Sequence, residues 1–314
     1  MMAAPVALLF PGQGAQSVGM GLALAERYSA VAAWYRAAEE AAGLPLMRLL
    51  REGPEDQLQR TEILQPTLLT VEIGAWLALR ESVELEVVAA AGHSLGEYAA
   101  LVAANALEPE AAVATGRRRG LYMQEAVPLG EGAMAAVMGL DADAVATCCA
   151  RATDGAARVW LSNDNSPGQV VISGHVAAVE LATSLLTQAG ARRVIPLKVS
   201  APFHCPLMQP AADRLGRDLA LLEIRDPAFP VVANCSAEPY RQAEDIRAGL
   251  KAQVVQPVQF RRSLLQMAAR HPQAMIEVGP GTVLTGLAKR TIPDMLVFQT
   301  GTPEQIEALQ KGIA

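Results

Sequence analysis

Ser94 sits in Gly92-His93-Ser94-Leu95-Gly96, a G-x-S-x-G pattern with a specific mechanical setting. The apolar run Leu85-Glu86-Val87-Val88-Ala89-Ala90-Ala91 precedes it, and the alanine-rich, helix-prone stretch Glu97–Ala104 follows. A strand, a tight turn and a helix in that order place a serine hydroxyl at the exposed tip of a strained elbow. The flanking glycines let the backbone turn sharply and leave room for a substrate. The helix behind the serine starts with N–H groups that face a developing oxyanion. Glu97 reads simply as a helix-starting acid. The chemistry this predicts is nucleophilic attack on an acyl carbon.

A serine hydroxyl needs a base to take its proton. The chain has four histidines, His93, His175, His204 and His271. His93 neighbours the serine, should leave the elbow in another direction, and reads as support for the turn. His175 follows Ser173-Gly174 at a helix start and reads as a surface or capping residue. His271, in Ala269-Arg270-His271-Pro272, reads as a helix-end cap on carbonyls. His204 lies in Ala201-Pro202-Phe203-His204-Cys205-Pro206, a loop stiffened by prolines, and is the base by elimination. No acidic residue is close to it in sequence, so a backbone carbonyl or an amide is expected to orient the imidazole.

These residues need a scaffold, and the chain supplies α/β material. Its 314 residues are 51% hydrophobic and 18% charged, which specifies a globular protein with a large core. The net charge of −6 speaks against a nucleic-acid binder. Met1–Phe10 lacks a basic n-region and is not read as a signal peptide. No apolar run is long enough to span a membrane, and a cytoplasmic location is expected. Cys148, Cys149, Cys205 and Cys235 carry no metal-ligand spacing and are expected to be reduced thiols, with no metal site.

Val6–Phe10 reads as a buried strand ended by Pro11-Gly12-Gln13-Gly14. Helices are expected over Gly19–Tyr28, Ala30–Ala42, from Pro54, over Pro66–Leu79 and over Glu110–Ala126. After Pro128 the pattern changes. A strand over Ala133–Met138, a helix over Ala142–Arg151, strands over Arg158–Asn163 and Gln169–Ser173 joined by an Asn/Ser/Pro/Gly turn, a helix over Val176–Ala189 and a strand over Arg193–Val199 spell βαββαβ, the ferredoxin-like plan. The expected organisation is a large α/β domain of residues 1–128 and 199–314, with strands near Val231–Asn234 and Ala274–Val278, and an inserted subdomain of residues 129–198.

Several segments together resemble the malonyl-CoA:acyl-carrier-protein transacylases and the related acyltransferase domains of polyketide and fatty-acid synthases. They are Phe10-Pro11-Gly12-Gln13-Gly14-Ala15-Gln16, Gly92–Tyr98, Met123-Gln124-Glu125-Ala126 with the arginines before it, Asn163–Gly174, Ala201-Pro202-Phe203-His204 and Glu277-Val278-Gly279-Pro280-Gly281. The resemblance runs over essentially the whole chain, in order. It implies an α/β-hydrolase-like large domain with an inserted ferredoxin-like subdomain. It implies a ping-pong reaction in which Ser94 takes a malonyl group from malonyl-CoA and passes it to the phosphopantetheine thiol of a holo acyl carrier protein. In this family Glu97 belongs to the elbow motif. The family's base matches His204, its orienting backbone carbonyl maps to Gln253, and its oxyanion-hole N–H groups map to Gln13 and Leu95. No permanently bound cofactor is implied; the coenzyme A thioester is a substrate. The expected partners are malonyl-CoA and the carrier protein, without nucleic acid or membrane.

A malonyl group ends in a carboxylate, which a guanidinium can grip with two hydrogen bonds. Arg117, Arg118 and Arg119 are consecutive, and helix residues turn by about 100°, so one of them faces a pocket. The family's register selects Arg119, and Arg117 and Arg118 read as a solvated face. Leu95 and Phe203 resemble the malonyl-selective pattern, with Phe203 crowding an α-methyl branch. Ala201 departs from it, because synthase-embedded malonyl-selective domains usually carry histidine there. A serine hydrolase of thioesterase type would share Ser94 and His204 but has no need of Arg119. A non-catalytic carrier-protein-binding module would need neither Ser94 nor His204. Fatty-acid synthesis, a polyketide line served in trans and carrier-linked malonate decarboxylation would all use the same site.

Overall fold

Strand β1 (Pro5–Phe10) shows how the large domain is built. Side chains alternate across a strand, and here both faces are covered. Val6, Leu8 and Phe10 join the main hydrophobic core, whereas Ala7 and Leu9 join a second core with Phe260, Leu264, Leu284 and Leu287. Such an unbroken apolar run is the mark of a central parallel strand with helices on both sides. β2 (Glu86–Gly92) runs parallel to β1 on one side, with Phe10 opposite Gly92.

Among the described residues the strands form two sheets. β3 (Gly132–Met138), β4 (Val159–Ser166), β5 (Gln169–His175) and β6 (Arg193–Pro196) make an antiparallel sheet in the order β4-β5-β3-β6. β7 (Ala274–Glu277) and β8 (Val297–Gln299) complete the parallel sheet, in the order β2-β1-β7-β8. The computed structural model describes residues 4–199 and 201–313. Met1–Ala3, part of the segment read against a signal peptide, and Ser200, in the loop before His204, lie outside the described residues. Among the described residues no helix is long and apolar enough to cross a membrane.

The fold class is the expected one. The antiparallel sheet has ferredoxin-like order, with helices Ala142–Ala152 and Val176–Gln188 on one face. Ala135, Val137, Val159, Val170 and Ile172 pack with those helices in a core of their own. The opposite pleat faces the large domain: Met134 and Val171 belong to the main core. The insert therefore lays the second face of its sheet over the large domain.

Several elements differ from expectation. The helix expected from Pro66 spans Thr61–Ser82, so Pro66 lies inside it. The earlier start matters, because it puts Gln65 on a helix that faces the site. Val231–Asn234 is not a full strand: Ala90 bridges Val231 in parallel, and Val232 pairs with Pro239. Asp164–Ser166, expected in a turn, is buried strand, and the turn is only Pro167-Gly168. Strand propensity disfavours Asn and Asp. Here tertiary contacts outweigh it: Asp164 N–H donates to Val258 O at 2.9 Å, Val258 N–H donates to Ser162 O at 2.9 Å, and Arg261 Nε donates to Asp164 Oδ2 at 2.9 Å. That polar strand end fastens the insert to the large domain. β8 and the last helix, Pro303–Ile313, had no expectation.

Candidate active site

β2 delivers the chain to the elbow at the carboxyl edge of the parallel sheet. Ser94 has φ 52°, a left-handed conformation that is costly for a residue with a Cβ. The glycines make the turn sterically feasible. A Cβ on Gly92 would stand 1.8 Å from Gly96 C, and one on Gly96 would stand 2.2 Å from Phe10 O. Asn234, fully buried, braces the turn: its Oδ1 accepts from Ser94 N–H at 2.6 Å and its Nδ2 donates to Gly92 O at 2.6 Å. The Val231–Asn234 bridge segment is what brings Asn234 there. The helix Gly96–Ala103 follows the elbow directly.

His204 reaches Ser94 from the other side of the sequence. Its Nε2 lies 2.8 Å from Ser94 Oγ, and its Nδ1 lies 2.8 Å from Gln253 O. A carbonyl can only accept, so Nδ1 carries the proton and the Nε2 lone pair faces the serine hydroxyl. No carboxylate is needed to set that tautomer. Burial first, and then the Arg119 charge, push the His204 pKa down to about 3. A neutral imidazole is therefore held ready to accept a proton. His204 also has φ 57°, so both members of the pair occupy left-handed backbone.

Arg119, on the helix Pro109–Glu125, is 1% exposed. Its Nη1 donates to Gln65 Oε1 at 2.8 Å, and its Nη2 donates to Ser94 Oγ at 2.9 Å and to Gln253 Oε1 at 2.8 Å. Nε has no acceptor among the described residues. Among the described residues no carboxylate pairs with this guanidinium directly, so a buried cation is left facing the serine. Arg117 and Arg118 are exposed but not free. Arg117 donates to Ala42 O and Gly43 O at the end of a neighbouring helix, and Arg118 pairs with Asp218 at 2.8 Å.

The serine opens into a cavity of about 250 Å³. The Gln13 loop, Leu95, Arg119, Phe203 and His204 line it, and Met134, Ala136 and Val171 of the insert cover it. Gln13 and Leu95 flank Ser94 there, and neither spends its backbone N–H on a protein acceptor among the described residues. A Cβ on Gly12 would stand 2.4 Å from His93 O, so only glycine lets the loop after β1 approach the elbow this closely. Phe203, 6% exposed, lines the cavity next to His204.

The other histidines have other partners. His93 lines the same cavity, but it supports the insert rather than its own turn: Nε2 lies 2.8 Å from Asn165 Oδ1, and its ring packs on Phe260. His175 precedes a helix without capping it through its side chain; its Nδ1 accepts from Arg158 N–H at 3.0 Å. His271 follows the helix Phe260–Ala268 with φ 53°, so its backbone conformation marks the helix end.

Gln65, Asn165, Asn234 and Tyr240 escaped sequence reasoning. Their partners lie 54 to 143 residues away, and no local spacing marks them. Glu97 reads from the sequence as a helix start and as part of the family's elbow motif, without a partner assigned to it, and it is fully buried.

Residues 7–306 match the family model of the acyl transferase domain. The chain is 44% identical to the malonyl CoA-acyl carrier protein transacylase of Bacillus subtilis (strain 168) over 302 residues, covering 96% of this chain and 95% of that one. It is 42% identical to the protein of the same name from Escherichia coli (strain K12), covering 96% and 97%. The structure of the transacylase of that name from Coxiella burnetii superposes with a TM-score of 0.96 at 38% identity, over 99% of this chain and 98% of that one. A malonyl-transacylase solved in complex with a type II PKS acyl-carrier protein superposes with a TM-score of 0.95 at 38% identity, over 98% and 100%. The chain belongs to the acyl transferase domain family, among the malonyl CoA-acyl carrier protein transacylases, and is an acyltransferase.

Proposed function

We propose that the protein transfers a malonyl group from malonyl-CoA to the phosphopantetheine thiol of a holo acyl carrier protein, through an ester on Ser94. The observation that carries this reading is the buried Arg119 guanidinium, 2.9 Å from the serine oxygen and without a carboxylate partner of its own. A hydrolase acting on uncharged acyl chains gains nothing from such a cation. A malonyl carboxylate would supply the missing anion and bring the thioester carbon to Ser94 Oγ.

Ser94 Oγ attacks the thioester carbonyl while its proton passes to His204 Nε2. The N–H groups of Gln13 and Leu95 hold the resulting oxyanion. Collapse breaks the C–S bond, and the coenzyme A thiolate leaves with the proton from His204. The carrier thiol then gives its proton to His204 and attacks the Ser94 ester. The second collapse returns the proton to Ser94 Oγ and leaves malonyl on the carrier. The Gln253 carbonyl holds the imidazole in one tautomer throughout. Coenzyme A enters as a substrate, and no resident cofactor has a part in these steps. Phe203 crowds an α-methyl branch and favours malonyl over methylmalonyl groups. Residues 129–198 serve as the inserted subdomain over the catalytic domain of residues 1–128 and 199–314. The names of the close relatives support the same substrate pair.

The test is direct. Incubation with malonyl-CoA should add a malonyl mass to the peptide containing Ser94, and holo carrier protein should then remove it. Rapid release of free malonate without transfer would mark a hydrolase. Absence of any adduct would leave only a binding module.

A further inference from the structure

Glu97 has a place in the site that the reaction steps do not use. It lies three residues after Ser94, in the first turn of the helix behind the elbow, and is 0% exposed. Three donors converge on its carboxylate. Tyr240 OH donates to Oε1, and Gln253 Nε2 at 2.7 Å and Asn234 N–H at 3.2 Å donate to Oε2. Two of these partners touch the reacting groups. Asn234 Oδ1 accepts from Ser94 N–H. Gln253 touches all three functional residues: its O takes His204 Nδ1–H, its Oε1 takes Arg119 Nη2, and its Nε2 also donates to Ser94 O at 2.8 Å.

We infer that Glu97 is a positioning residue which, by fixing the side-chain amide of Gln253, sets the direction of Arg119. An amide has two nearly isosteric ends, and its neighbours decide which way round it sits. Here the nitrogen end meets two acceptors, Ser94 O and Glu97 Oε2, while the oxygen end meets a guanidinium that can only donate. Turned over, the amide would set its NH₂ against Arg119 Nη2, donor to donor, and its oxygen against the Glu97 carboxylate. Without Glu97 the second acceptor is gone and the flipped amide loses much of its penalty. Arg119 would then lose an acceptor and its fixed aim at the acyl carboxylate.

This inference rests on the transacylase reading, and the experiment separates the two. The wild-type protein, Glu97→Gln and Glu97→Ala are compared for adduct formation from malonyl-CoA and acetyl-CoA, with the active fraction counted by covalent titration. Glu97→Met fills similar volume without an acceptor and takes the place of Ala if that variant does not fold. Loss of an outer partner costs about 10–100-fold at metal sites, and a loss of that size is expected for malonyl transfer in the Ala or Met variant. KM for malonyl-CoA should rise and the malonyl-to-acetyl ratio should fall. Glu97→Gln keeps an acceptor for Gln253 and should restore the ratio towards the wild-type value. A lower active fraction with KM and ratio unchanged would overturn the inference, since a merely structural role predicts that result. So would a Gln variant as impaired as the Ala one. If the wild-type protein forms no malonyl adduct, the transacylase reading fails and this inference falls with it.

Discussion

Arg119→Ala should separate malonyl from acetyl chemistry. The wild-type guanidinium is buried, and its Nη2 is already within hydrogen-bond distance of the reacting oxygen. A malonyl carboxylate arriving there would form charge-assisted hydrogen bonds away from bulk water. Truncating one partner of such a buried pair costs about 2–5 kcal/mol. At 1.4 kcal/mol per tenfold, that is roughly 30- to 4000-fold in kcat/KM for malonyl-CoA. Acetyl-CoA has no carboxylate and should lose none of this. It should gain, because removing Arg119 frees Ser94 Oγ from one donor and relieves part of the depression of the His204 pKa. The substitution also strips a donor from Gln65 Oε1 and Gln253 Oε1, an expense of about 1–3 kcal/mol for each acceptor that stays dry. Thermal unfolding should therefore accompany the kinetics. Single-turnover acylation with both thioesters, scaled to folded protein, gives the comparison. An equal loss for malonyl and acetyl groups would show that Arg119 holds the fold of the site and does not read the acyl tail.

Phe203→Ser should admit methylmalonyl-CoA better, because one methyl group in an apolar site is worth about 1–3 kcal/mol, or roughly 10- to 200-fold in discrimination; competition between the two thioesters measures it, and unchanged selectivity would count against the crowding role. The acid limb of the acylation rate should lie well below the ordinary histidine value near 6.5, since burial and Arg119 keep the free His204 neutral down to about pH 3; a limb centred at 6.5 in single-turnover pH profiles would contradict that environment. Glu72 gives a stability test. It is fully buried, neither carboxylate oxygen has a partner among the described residues, and burial followed by the nearby Glu277 raises its pKa well above normal. Above about pH 4.5 the unfolded chain releases this proton while the native protein keeps it, so stability falls as pH rises towards the folded pKa. Glu72→Gln should thus raise Tm at pH 8 more than at pH 5 in calorimetry, and an equal shift at both pH values would show that Glu72 is not held protonated.

How much was legible beforehand depended on the range of the physical signal. The elbow is local: glycine spacing, a strand before it and a helix after it all lie within twenty residues, so Ser94 stood out directly. His204 emerged because a nucleophile needs a base and four histidines could be weighed one by one. Arg119 needed the family register to separate it from Arg117 and Arg118, and burial then distinguishes the three. The ferredoxin-like insert was legible from the βαββαβ alternation. Asp164–Ser166 was not, because its propensity says turn, and contacts from Val258, Arg261 and His93, far along the chain, add to the pairing with β5 that makes this stretch a strand end. Pro66 misled for the opposite reason. Proline is favoured at a helix start, yet the helix begins at Thr61 and includes the turn that carries Gln65.

The residues that brace the site share one property: each acts through a hydrogen bond to an element distant in sequence. Asn234 and Gln253 sit on segments with no motif of their own, and both meet Ser94 across more than a hundred residues. The strain explains why so many are needed. Ser94 and His204 both hold left-handed backbone, which costs about 1–3 kcal/mol each. Such conformations persist only where the surroundings over-determine them. Asn234 ties the Ser94 N–H to the Gly92 carbonyl, and Gln253 ties the Ser94 carbonyl to Glu97. The backbone on both sides of the serine is thus clamped by buried amides, and the same Gln253 holds the imidazole. Ser94 and His204 could be read from residue types as the candidate pair, but their geometry is a property of the amides behind them.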